Sequence, residues 1–250
     1  MDDGYLFSKE AVMNMTQCCV SYKELEDIGA NLVRDFYRKT DTDYSLMFVD
    51  VETMALMMGL KIVYEDLVPD VPIKLAFLSN GYDEIQVIRD GLVESVVFPK
   101  KTIVVDLRLK DNDNIGRLRF TIAHEIAHHF LIKHKFFPDT DMNYDLSSDE
   151  IDDLMYQEEK QADRLASAIL MPKFFMKRLL DEMNSGNPII IYGTTTTDIE
   201  TKCILIKMSE LIGVSYTALL IRLKELYMVE YHDFSEYFSS SSIDIWRDDD

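Results

Sequence analysis

Cysteine is scarce in this 250-residue chain, and its scarcity excludes one way of stabilising a fold. Cys18, Cys19 and Cys203 are the full set, an odd number with two adjacent. They make neither a disulfide framework nor a CxxC zinc clip. Proline (6) and glycine (9) are also few, which argues against long flexible linkers. Positive charge is in deficit. Lys and Arg number 26 against 45 Asp and Glu, for a formal net charge of −19 and a pI near 4.6. Broad contact with nucleic acid or an anionic membrane is therefore disfavoured, because phosphate affinity comes largely from clustered Lys and Arg. No apolar run approaches the ~20 residues of a membrane helix. The opening stretch MDDGYLFSKEAVMNMTQCCV has neither the basic nor the apolar region of a signal peptide. A cytoplasmic location is the expectation.

What is present is an ordinary globular composition, 47% hydrophobic and 28% charged, in a chain long enough to bury a core. Residues 1–20 show no period and read as a flexible arm. Ser21 with Glu24 forms a capping box that opens a helix, YKELEDIGANLVRDFYRK. A short helix, VETMALMMG, follows Asp50 and should stop at Gly59. The apolar period then changes to two, and residues 60–67, 73–79, 83–91 and 101–107 read as strands. Asn80-Gly81, between the second and third, is a hairpin signal. The expected sheet is small and mostly antiparallel.

Helical spacing returns at Asn114 and lasts to about His134, with Leu118, Ile122, Ile126 and Phe130 on one stripe. After the loop KFFPDTDMNYDLSS, Ser147 and Glu150 form a second capping box and start a helix that Pro172 ends. Residues 173–184 read as another helix, and NPIIIYG as a strand or extended connector. Residues 196–230 have an all-helical pattern. Within them MSELIGVSYTALLIRLKEL has the outline of a helix-turn-helix, which a plain helical hairpin would share. The end, SSSSIDIWRDDD, reads as disordered.

The chemistry is concentrated in RFTIAHEIAHHF, residues 119–130. Residues four apart lie on one helix face, so His124 and His128 point the same way and can grip one metal ion. Glu125 is turned about a quarter of the circle away, where it can meet a water on that metal. This is the H-E-x-x-H arrangement of two zinc ligands and a general base. A helix of partly buried, satisfied histidines would explain neither the spacing nor the glutamate. A catalytic zinc needs a third protein ligand, and the next helix, MYQEEKQADRLASAILMP, offers Glu159, with Glu158 as the alternative. Asp163, one turn after Glu159, is placed to hold the far ring nitrogen of a ligand histidine.

RLRFTIAHEIAHHFLIKH followed by EEKQADRLASAILMP resembles the ImmA/IrrE family of zinc metallopeptidases, which pair an RFTxAHExxH helix with a second, Glu-led helix ending in a proline. The resemblance runs over roughly residues 21 to 231. It implies an α+β fold, a mainly helical zincin-like core with a small sheet, followed by a helix-turn-helix-like segment. The boundaries expected are 1–20 for the arm, 21–195 for the peptidase domain, 196–232 for the helix-turn-helix-like segment and 233–250 for an acidic tail. It implies that His124, His128 and Glu159 bind Zn2+ and that Glu125 is the general base for peptide hydrolysis. Asp163 stands where many members have Asn. His129 reads as structural or surface. Tyr144, Tyr156 and His134 are candidates to hold an oxyanion, and Arg117 to border the cleft. The implied substrate is a protein, a helix-turn-helix transcriptional repressor. Against a DNA-binding role for the chain itself, Arg222 and Lys224 are the only basic residues late in the would-be recognition helix.

Overall fold

A computed structural model describes residues 20–69, 74–110, 115–134 and 148–240. The chain divides into two compact units, Met1–Pro172 and Lys173–Asp250.

In the first unit, helix α1 (Tyr22–Thr40) opens on the expected capping box. Ser21 Oγ accepts from the Glu24 N–H, and the Glu24 carboxylate accepts from the Ser21 N–H. Its buried face, Leu25, Gly29, Val33, Phe36 and Tyr37, repeats at helical spacing and lies against helix α4 (Ser148–Leu170). The approach is close. A Cβ on Gly29 would come within 2.6 Å of Ala168 Cβ, so the packing requires glycine. Helix α2 (Val51–Met57) is capped by Asp50, whose carboxylate accepts from the Thr53 N–H. Gly59 takes φ +80 and turns the chain into strand β1 (Lys61–Glu65).

Strands β2 (Ala76–Leu78), β3 (Glu84–Arg89), β4 (Leu92–Val97) and β5 (Thr102–Asp106) complete the sheets of this unit. Every residue of β5 is buried. It is the centre of a three-stranded sheet, parallel to β1 and antiparallel to β2, so the sheet is mixed. Strands β3 and β4 pair separately, across Asp90-Gly91, both at positive φ. The hairpin expected at Asn80-Gly81 does not form, because the partner of β2 is β5 and not β3. There the Asn80 side chain accepts from the N–H groups of Tyr82 and Asp83 and turns the chain from one sheet to the next. Strand β4, LVESVV, is largely exposed, which is why its period carried no core signal.

Helix α3 (Ile115–Lys133) packs on α4 and on the sheet. Ile122 and Ile126 of the expected stripe are buried, whereas Leu118 and Phe130 are only half-buried. The buried surface extends round to Ala123, Ala127 and Leu131 and takes in three polar residues, Arg119, Glu125 and His129. Arg119 donates to the Val49 carbonyl and lies 3.6 Å from the Phe48 ring centroid, tying α3 to the segment before α2. Burial brings its pKa down to about 10. Helix α4 ends at Leu170, just before Pro172. The capping residue expected at Ser147, like the acidic loop before it, lies outside the described residues.

In the second unit, helix α5 (Lys173–Met183) leads to strand β6 (Ile189–Tyr192), so the connector at NPIIIYG is a strand. Helices α6 (Ile199–Ile212) and α7 (Tyr216–Glu225) meet at 100° across a turn with Gly213 in the left-handed region and Ser215 as the next cap. The helical pattern read through residue 230 stops earlier. Tyr227 takes φ 56, and strand β7 (Val229–His232) pairs in parallel with β6. Helix α8 (Phe234–Ser240) follows. Among the described residues, no single helix is long and apolar enough to cross a membrane.

Candidate metal centre

Helices α3 and α4 build the site together. The four-residue spacing puts His124 and His128 one turn apart, and their Nε2 atoms lie 2.9 Å from each other. Glu159 of α4 reaches between them, with carboxylate oxygens 3.2 Å from His124 Nε2 and 3.5 Å from His128 Nε2. These three side chains could hold a metal ion. Around a tetrahedral ion with bonds of ~2.0–2.1 Å, neighbouring donor atoms would stand about 3.3 Å apart, close to the separations here.

The outward ring nitrogens strengthen that fit. His124 Nδ1 lies 2.9 Å from Asp163 Oδ1, and His128 Nδ1 lies 3.3 Å from Glu158 Oε1. A carboxylate can only accept, so both Nδ1 atoms act as donors. The two Nε2 atoms of neutral rings then turn lone pairs toward each other and toward the Glu159 carboxylate. Three electron-rich groups converging without a donor need a cation among them. In its absence protons substitute. Burial opposes charge on both rings, yet the carboxylates of Asp163 and Glu159 hold the pKa of His124 up at about 9, and those of Glu158 and Glu159 hold His128 up at about 10. Hydrogen bonding to the same two imidazoles pulls the Glu159 carboxyl well below the ordinary range.

Glu125 stands apart from the converging trio, as its position on the helix dictates. It is buried, and burial pushes its pKa up against the pull of the two imidazoles. Its carboxylate accepts the backbone N–H of Leu78 in β2. The pairing of β2 explains why that N–H is free to do so. Ser79 donates to Thr102 and accepts from Lys101, while Asp106 donates to Leu75. Odd positions therefore face β5, and the Leu78 N–H points off the outer edge.

Of the other expected participants, three lie among the described residues. Arg117 is exposed and forms no hydrogen bond or ion pair among the described residues. His134 is exposed at the end of α3, its ring 4.3 Å from that of Phe130. Tyr156 is exposed under the Lys160 ammonium. Tyr144 lies outside the described residues. Glu158, considered for the inner position, instead faces the outer nitrogen of His128. His129 is buried and not on the surface, with its Nε2 unpartnered among the described residues. The spacing Glu125, His129, Lys133 could have flagged it, since it marks one helix face. In the second unit the Arg222 side chain is fully buried, 3.6 Å from Glu225, so it does not present a guanidinium to a phosphate backbone.

The stretch from β5 to the end of α7 coincides with a known domain. Residues 104–224 match the family model Peptidase_M78, the IrrE N-terminal-like domain. No curated protein matches the chain.

Proposed function

Residues 104–224 match the IrrE N-terminal-like domain, and from that premise we propose that the protein is a zinc-dependent endopeptidase whose substrate is a helix-turn-helix transcriptional repressor. The observation that carries this reading is the convergence of His124 Nε2, His128 Nε2 and the Glu159 carboxylate, with both outward nitrogens backed by carboxylates. Two imidazoles and one carboxylate are the ligand set of a catalytic zinc, which keeps a further position for water.

A zinc ion held by that trio supplies Lewis acidity toward a water molecule and toward the scissile carbonyl. Glu125 takes the proton from the attacking water and returns it to the departing amine. Its buried setting suits both steps, because a raised pKa brings a carboxyl nearer to neutral pH. Asp163 and Glu158 fix which nitrogen of each histidine faces inward. The outer edge of β2 runs past Glu125 and favours an extended peptide, added to the sheet by backbone hydrogen bonds. The acidic balance of the chain, −19, accords with a basic, DNA-binding partner.

The test is to incubate the zinc-loaded protein with a purified helix-turn-helix repressor from the same genome neighbourhood. Discrete fragments are expected with the wild type, none after chelation or with Glu125→Gln, and restored cleavage on adding zinc. Cleavage that survives both chelation and Glu125→Gln would refute the reading.

A further inference from the structure

Beside the metal centre, where β2 passes the C-terminal half of α3, lies a cavity of about 620 Å³. Its apolar floor includes Phe77, Leu78, Ile85 and Ile132. Its polar wall is unusual for so acidic a chain. Lys74, Lys100, Lys101 and Lys133 line it against two carboxylates, Asp83 and Glu84. Asp83 is engaged by the Asn80 side-chain amide. None of the four lysines has an ion-pair partner among the described residues. His129 also lines the cavity. It is only 8% exposed, and its Nε2 has no hydrogen-bond partner among the described residues. A buried ring nitrogen without a partner costs free energy that a ligand group would recover.

From this arrangement we infer that the cavity is a specificity subsite for an acidic side chain, Asp or Glu, of the peptide substrate. The inference rests on the peptidase reading above, because it places the peptide along β2. Glu125, His129 and Lys133 follow one another at intervals of four on the same face of α3, so the wall of the cavity continues from the base. At ~1.5 Å per residue, His129 and Lys133 lie about 6 and about 12 Å beyond Glu125 along the helix. An extended chain advances ~3.3 Å per residue. His129 and Lys133 therefore stand level with side chains about two and about four residues from the bond that is cut. The methylenes of an acidic residue suit the apolar floor, and its carboxylate suits the lysine ammonium groups and the imidazole. A basic side chain would meet like charge at the same place.

Binding, not turnover, is the direct test. Zinc-loaded Glu125→Gln protein, which should hold a substrate without cutting it, is used to select from a randomised peptide library. Enrichment of Asp and Glu at one fixed position is expected. In Lys101→Glu/Lys133→Glu that preference should fall about tenfold or turn toward Lys and Arg. If the double reversal does not fold, Lys101→Gln and Lys133→Gln should each weaken it. No acidic enrichment, or the same enrichment in the lysine variants, overturns the subsite. Enrichment as expected with no cutting of the selected peptides by the zinc-loaded wild type leaves the subsite standing and removes the peptidase reading.

Discussion

Asp163 Oδ1 of α4 sits 2.9 Å from His124 Nδ1 of α3, so one helix holds a histidine ring of the other by a hydrogen bond. That bond decides which nitrogen of His124 faces the trio. Asp163→Ala leaves the ring free to turn and to protonate at the wrong atom. Zinc affinity should fall about 10- to 100-fold, the usual cost of losing such a support. Asp163→Asn keeps an oxygen that can accept from Nδ1–H, so its loss should be much smaller. Competition against a chelator of known affinity measures both. Equal losses in the two variants would show that charge, and not the hydrogen bond, is what Asp163 supplies.

Glu158 and Glu159 are adjacent in sequence yet face opposite sides of the two histidines. Glu159 reaches both inner nitrogens, and Glu158 only the outer nitrogen of His128. Glu159→Ala should therefore lose most of its bound zinc. Glu158→Gln should keep about one ion per chain at an affinity lowered by about tenfold. Metal analysis of the two purified variants checks this. The reverse ranking would exchange their roles.

What could be read in advance was what is local in sequence. The i,i+4 spacing of His124 and His128 fixes their shared face by helix geometry alone, and the caps at Ser21 and Asp50 depend on residues three positions apart. What escaped depends on distant partners. Asn80-Gly81 and Asp90-Gly91 are both good turn sequences, and only the pairing of β2 with β5, residues 76–78 against 103–105, decides which one closes a hairpin. The stretch at β7 lost its helical pattern to a parallel partner some forty residues earlier, Ile189–Tyr192. Glu158 escaped for a related reason. Its role follows from the ring orientation of a histidine on another helix, which spacing within α4 does not encode. Spacing within α3 left His129 either structural or on the surface, because only the neighbouring β2, from a distant part of the chain, buries that face.

The contact between α1 and α4 gives a stability prediction independent of the metal. At Gly29 an added Cβ would lie 2.6 Å from Ala168 Cβ and 2.9 Å from its carbonyl carbon. Backbone on the opposing helix cannot move aside cheaply, so Gly29→Ala should destabilise by about 1–3 kcal/mol despite the better helix propensity of alanine. Thermal unfolding of the variant should show a lower Tm, with metal content unchanged. A raised Tm would mean that the helices separate at little cost.

The charges at the centre predict how stability of the metal-free protein follows pH. Against burial, surrounding carboxylates raise His124 to about 9 and His128 to about 10, from 6.5 when exposed. A raised histidine pKa stabilises the folded state fully below about pH 6.5, and that contribution is lost as pH climbs through the folded values. Glu125 acts in the same direction, because burial favours its neutral form and ionisation at higher pH disfavours the fold. Glu159 has the opposite dependence. Its pKa is depressed, so its contribution is present above 4.5 and lost as acid protonates it. With chelator present, the Tm should thus fall between pH 6.5 and pH 10, by on the order of several degrees. Zinc bound by the trio would take the place of those protons, so the zinc-loaded protein should not show this fall, and its affinity for zinc should rise across the same window as fewer protons have to be displaced. Thermal scans at the two pH values, with chelator and with zinc, give the comparison. A chelated protein whose Tm stays level over that window would mean that the carboxylates do not hold the imidazoles charged, and the electrostatic account of the site would fail with it.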